Sequence, residues 1–190
     1  MSNKIIAVVG MCGSGKSEAV EEFVKAGFTR IYFGDATFLK LKELKLPVTP
    51  ENEQYARDLL RASGDNGIYA RIFLPEIEKA IVKGSVVIES MYSWSEYKII
   101  KERFGEDFSV LCIATDAPLR RERLASRKVR PLTQEQSIAR DYSEIENIEK
   151  GGPIGIADHY ITNNGSLTNF KAKVCQYIDT LTTGKIHTQE

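Results

Sequence analysis

Five short apolar runs, at residues 5–9, 29–33, 85–89, 109–115 and 159–162, alternate with longer stretches whose apolar side chains recur every three or four positions. The short runs predict strands. The longer stretches predict helices over 17–25, 36–44, 51–62, 69–82, 94–104, 119–127, 134–148 and 167–181. Residues 5–9 read Ile-Ile-Ala-Val-Val without a polar break, as a strand buried on both faces does. This alternation argues for an α/β fold in which helices cover both faces of a parallel sheet. Turn residues punctuate it: Ala26-Gly27 ends the first helix, Pro47 stops the second, and Gly64-Asp65-Asn66-Gly67 separates the next two. Gly151-Gly152-Pro153 is read as a break before the last strand. No repeat or linker divides the pattern, which predicts one domain over residues 1–182 and a polar, flexible tail at 183–190.

Lys plus Arg and Asp plus Glu number 26 each, a balance that argues against bulk nucleic-acid binding by counterion release. No apolar run reaches the roughly 20 residues a bilayer crossing needs. The apolar start runs straight into Gly10 with no small-residue cleavage site, so it is read as a first strand, and a cytoplasmic protein without a membrane partner is expected. Cys12, Cys112 and Cys175 are widely spaced and odd in number, as expected of free thiols in a reducing compartment.

Directly after the first apolar run, Gly10-Met11-Cys12-Gly13-Ser14-Gly15-Lys16-Ser17 fits the pattern G-x-x-x-x-G-K-[ST] without a gap, and a helix follows. Each part has a mechanical role. Glycines let the backbone curl so that successive N–H groups converge on phosphate oxygens. The helix N-terminus adds the favourable end of its dipole. Lys16 is placed to reach the β- and γ-phosphates of ATP, and the Ser17 hydroxyl to ligate Mg²⁺. Cys12 reads as space-filling, with a thiol acidified by the helix N-terminus as the alternative.

The fourth strand ends in Ala114-Thr115-Asp116-Ala117, which excludes the Asn-Lys-x-Asp that reads guanine in GTPases. Val86-Val87-Ile88-Glu89-Ser90 offers a single carboxylate, where motor ATPases carry an acidic pair. From Ile5 to about Val174 the chain resembles the nucleoside monophosphate kinase superfamily, and within it dephospho-coenzyme A kinases and adenylate-kinase-like proteins. Besides the phosphate loop, three segments carry the likeness. Gly34-Asp35 is similar to the start of the acceptor-binding segment, and Arg123-Leu124-Ala125-Ser126-Arg127 to the Arg-Leu-x-x-Arg that enters the lid. The stretch from Ala157 through Asn163-Asn164-Gly165 to Leu167 resembles one that lies beside the adenine in dephospho-coenzyme A kinases. The resemblance implies a three-layer P-loop fold with strand order 2-3-1-4-5. It also implies an acceptor-binding insertion at about 35–83, a short lid at about 127–134, and ATP contacts from Arg123, Arg127 and Asn164. The chain departs from both relatives at the acceptor. Phe38 stands where adenylate kinases place an arginine, Phe33 where the first acid of Asp-Ala-Asp falls, and Glu89-Ser90-Met91-Tyr92-Ser93 replaces Asp-Gly-Phe-Pro-Arg. Phe33 and Phe38 lead one to expect a less charged acceptor pocket.

Residues 120–130 hold Arg120, Arg121, Arg123, Arg127, Lys128 and Arg130 against the single acid Glu122. Arg120 and Arg121 are read as a solvated helix face. Arg127, Arg130 and Arg140 are read as lid arginines that close on the transferring phosphoryl group, with surface pairing to Glu135, Asp141 or Glu144 as the alternative. Asp35, just past a strand end, is a candidate to orient or deprotonate an acceptor hydroxyl, or else a helix N-cap. Glu89 could hold Mg²⁺ through water or cap the next helix. Arg57 and Arg61 could bind an acceptor phosphate or form a solvated pair, and Tyr92 and Trp94 could stack on an acceptor ring, or Trp94 could pack in the core. His159 is read as structural. The reading reached is an ATP-dependent, Mg²⁺-assisted kinase for a nucleotide-like small molecule. A P-loop regulatory protein or slow ATPase without such an acceptor is the alternative, and a basic RNA-associated ATPase is disfavoured by the neutral charge.

Overall fold

The structure is a computed structural model that describes residues 2–62 and 64–183. The tail expected to be flexible therefore lies, from residue 184, outside the described residues. Strands β1 (Ile5–Val9), β2 (Thr29–Tyr32), β3 (Val86–Glu89), β4 (Phe108–Ala114) and β5 (His159–Thr162) form one parallel sheet in the order β2-β3-β1-β4-β5. Pairing sets Ile5 beside Val86 on one side and Phe108 on the other, so β1 lies at the centre, hydrogen-bonded on both edges. The order expected from the resemblance is the order found.

The apolar run of β1 serves two cores at once. Ile5, Ala7 and Val9 face a cluster with Tyr69, Ala70, Phe73 and Ile77 of α4 (Ile68–Ile81) and Ile100 of α5 (Trp94–Phe104). Ile6 and Val8 face the opposite cluster, built on Ala19, Val20 and Phe23 of α1 (Lys16–Lys25) and Phe170, Val174 and Ile178 of α9 (Leu167–Thr183). Period-two alternation thus explains why no polar residue interrupts the strand. Helices α2 (Asp35–Glu43) and α3 (Pro50–Arg61) follow β2 and pack on each other, while α6 (Ala117–Ala125) and α7 (Gln134–Glu146) follow β4 and do the same.

Two details differ from the expected pattern. Gly151-Gly152-Pro153 does not simply break the chain but starts a short helix, α8 (Gly151–Gly155). Gly152 is required there because a Cβ would come within 2.9 Å of the Trp94 ring. Trp94 is thereby accounted for: half-buried, it packs on Gly152 and stacks on Tyr97 at 4.9 Å, which favours the packing alternative of the two readings held. Phe33 is the second. It is fully buried and stacked on Phe73 at 5.4 Å, so it belongs to the core and not to an acceptor pocket.

Candidate functional site

The phosphate loop is held open by side chains that capture its carbonyls. The Asn163 amide and the Thr115 hydroxyl donate to Ser14 O at 2.8 and 3.1 Å, and the Arg120 guanidinium donates to Cys12 O at 2.9 Å. Because a peptide unit is planar and trans, drawing these carbonyls outward turns the N–H groups of Gly13 and Gly15 the opposite way, into the loop. Gly15 has φ 99° and precedes the first residue of α1; a Cβ there would collide with the Asn163 amide. Arg120 also forms a buried bidentate pair with Asp141, at 2.8 and 2.9 Å. The reading of Arg120 as a solvated arginine is therefore corrected: α6 turns it inward, because α7 presents Asp141 opposite. Arg121 beside it is half-buried.

Cationic groups converge on the mouth of the loop. Lys16 Nζ donates to Gly10 O and Met11 O at 2.9 and 3.0 Å, curled back on the loop. Glu144, on α7, accepts from the Cys12 N–H at 3.3 Å, from Lys150 Nζ at 2.7 Å and from Arg140 Nε at 3.2 Å. Burial of the ammonium, then the charge of Lys150, push Lys16 down to about 7. A polyphosphate bound there would restore the charged form, so above pH 7 it would find Lys16 largely neutral and draw a proton onto it. ATP binding is expected to take up protons, and affinity to fall as pH rises from about 7 to 9. Calorimetric titration at pH 8 in buffers of different ionisation enthalpy measures this, and proton release on binding would contradict it.

On the other side of the loop, Ser17 Oγ donates to Glu89 Oε1 at 3.1 Å, and Arg30 pairs with the second oxygen. Glu89 is buried at the end of β3, whereas the next helix is capped by Ser93 in a capping box with Glu96, so the capping alternative for Glu89 is excluded. A hydroxyl and a carboxylate oxygen side by side suit Mg²⁺, which takes few protein ligands and completes its shell with phosphates and water. These residues fit the ion that the motif implies.

A cavity of about 710 Å³ opens beside the loop. Arg57 and Arg61 of α3 form one wall, Arg140 and Glu144 of α7 the other, with Ser90 and Tyr92 between them. Phe38 lines it too, yet the pocket is far more charged than the two phenylalanines led one to expect. Arg130 crosses its rim with a bidentate pair to Glu53 of α3, at 3.2 and 2.8 Å, which ties the connection between α6 and α7 to α3. Arg57 bonds Gln54 and Glu53. Arg61 lies over the Tyr69 ring at 4.8 Å, and its buried Nε has no hydrogen-bond partner. Tyr92 OH bonds Ser90, and Glu96, pushed up to about 7 by burial, accepts the Tyr92 N–H at 2.6 Å and so fixes the floor.

The remaining expected residues are dispersed. Asp35 is the first residue of α2, not its cap; it is exposed beside Gly34, which lines the cavity. Arg123 donates to Asn163 O at 2.9 Å, and Asn164 accepts the Asp116 N–H, so both frame the loop's far side. Arg127 is exposed beyond α6 and away from the cavity lining. His159, exposed at the start of β5, stacks on Tyr177 at 4.5 Å. Lys150, Glu144 and Asn163 were not singled out as site residues. Asn163 had a signal, since it stands within the quoted segment next to Asn164. Lys150 had none: it is a lone lysine between Glu149 and Gly151.

Sheet order and phosphate loop together define a P-loop kinase-like fold. Solved structures agree: shikimate kinase from Acinetobacter baumannii in complex with shikimate superposes with a TM-score of 0.63 at 15% identity, covering 97% of this chain and 96% of that one. Dephospho-CoA kinase from Campylobacter jejuni does so with a TM-score of 0.55 at 20% identity, covering 94% and 97%. The chain is 33% identical over 181 residues to a UPF0200 protein of Thermococcus kodakarensis, covering 92% of this chain and 96% of that one, and it belongs to the UPF0200 family. No family model matches it. Among the described residues no helix is long and apolar enough to cross a membrane.

Proposed function

We propose that this protein is a phosphotransferase that moves the γ-phosphoryl group of Mg²⁺-bound ATP to an anionic, nucleotide-like small molecule. The observation that supports it most is a shared wall: Arg140 and Glu144 face the arginine-lined cavity, and Glu144 also touches the phosphate loop. Two anions bound side by side there would meet across α7, as donor and acceptor must. Lys16 and the loop amides would hold the donor, and Ser17 and Glu89 the Mg²⁺, which neutralises charge on the phosphates. Arg57, Arg61 and Arg130 would receive the acceptor's negative groups, and Arg140 the charge that develops in transfer. Arg123 and Asn164 remain candidates to frame the donor base.

ADP release is measured with nucleoside monophosphates, dephospho-coenzyme A and related precursors, against a no-acceptor control. At least one anionic acceptor is expected to raise turnover well above the control. Arg61→Ala should then raise the KM for that acceptor by about tenfold or more, the loss of a charge-assisted contact, and leave the KM for ATP unchanged. Asp35→Asn sorts the chemistry: loss of most of the rate marks a hydroxyl acceptor with Asp35 as its base, and unchanged turnover excludes that role. Slow ADP release that no acceptor stimulates would instead favour a regulatory protein or slow ATPase.

A further inference from the structure

Lys150 is a lysine whose side chain is 2% exposed, and burial at that level is costly for an ammonium unless it is paired. Its partner is a single atom, Glu144 Oε2, at 2.7 Å. The same oxygen accepts the Cys12 N–H of the phosphate loop at 3.3 Å, while Oε1 accepts from Arg140 at 3.2 Å. One carboxylate therefore gathers a loop amide, an ammonium and a guanidinium. Those are the donors a phosphoryl group recruits, and here an acid of the chain holds them. Local structure presets the arrangement: the Lys150 N–H donates to the Glu144 carbonyl at 3.1 Å, and Glu149 takes the left-handed conformation, φ 57°, that turns the chain back over the end of α7. Tyr92 supports the ammonium from beneath, its ring centre 4.3 Å from Nζ.

From this geometry we infer that Lys150 is a second phosphate-binding lysine, which holds the terminal phosphoryl group of the bound triphosphate, and that Glu144 is the internal anion displaced from it. This rests on the reading of the loop as a triphosphate site. Burial would raise the Glu144 carboxyl, but Lys150, then Arg140 and Lys16, hold it below the usual range, so the occupant is an anion. Its displacement is an exchange of one anion for another on the same donors. The charge the triphosphate meets is thus already assembled, and what it must overcome is the carboxylate.

A buried ion pair that only fastens α7 to α8 would also show these contacts, and nucleotide affinities separate the two. Calorimetry with ATP, ADP and inorganic tripolyphosphate is run without acceptor on the wild type, Lys150→Met, Lys150→Arg and Glu144→Gln, each first checked for a cooperative melt. Lys150→Met is expected to weaken ATP by about tenfold or more and ADP by less than about threefold, because only ATP carries the terminal group. Lys150→Arg should restore part of that ATP preference. Glu144→Gln keeps the shape, removes the competing charge, and is expected to tighten both ATP and tripolyphosphate. If Lys150→Met leaves the ratio of ATP to ADP affinity at the wild-type value, the assignment of Lys150 is overturned. If it does not fold, Glu144→Gln decides alone, and unchanged or weaker ATP affinity there overturns the displacement. Failure of the wild type to bind ATP or tripolyphosphate would overturn the donor-site reading itself, a separate result.

Discussion

Lys16→Ala is expected to abolish phosphoryl transfer while the protein keeps its fold. The ammonium hydrogen-bonds only the Gly10 and Met11 carbonyls of its own loop, and its pull on Glu144 comes after those of Lys150 and Arg140. Its charge is also held uncomfortably: burial and Lys150 depress it to about 7. Removing it therefore costs the folded state little, and the loop remains fastened by Asn163, Thr115 and Arg120. In the complex the same ammonium would bridge the phosphates across which charge shifts during transfer. Loss of one such preorganised donor costs about 10²–10³ in rate, and a full charge on the transferring group costs more. A coupled ADP assay with an active acceptor, set beside a thermal melt, tests both halves. Residual turnover within tenfold of wild type would remove the basis for the donor site. A melt lowered by many degrees would mean that Lys16 supports the fold after all.

What could be read in advance divides along a physical line. The phosphate loop was legible because its requirements are local: glycines at fixed offsets, a strand before and a helix after. Strand order came through the resemblance, since period-two runs name strands but not their neighbours. Glu89 was legible in part, as the last residue of a buried strand, but not its partner, because Ser17 lies 72 residues away. Arg120 and Lys150 were hidden for a related reason. Whether a charged side chain on a helix is solvated or buried depends on what packs opposite, and Asp141 sits 21 residues further on. A dense run of arginines reads as a surface, and it takes α7 to turn one of them inward. Phe33 misled because its position was matched to a relative's motif, whereas the local alternation already placed it in line with Ile31, on the face toward the core.

Arg120→Met is expected to give the largest loss of stability of any single substitution near the site. The guanidinium is buried and spends its donors on three acceptors: both oxygens of Asp141 and the Cys12 carbonyl. Methionine fills much of the volume but leaves a buried carboxylate without its counter-charge. Breaking such a pair from one side costs about 3–5 kcal/mol, which for a domain of this size lowers the melting temperature by roughly 10 °C. Arg120→Met with Asp141→Leu should recover much of that loss, because a pair replaced whole by apolar side chains is often neutral or better. Function should not follow stability in the double variant. The Cys12 carbonyl still lacks the donor that draws it outward, so the Gly13 N–H is no longer held toward the phosphates, and ATP affinity should stay reduced. Melts of the single and double variants, with ATP titrations below the transition, separate the two roles of Arg120. Equal recovery of stability and ATP affinity would mean that the arginine only packs the helices, and that the loop keeps its shape without it.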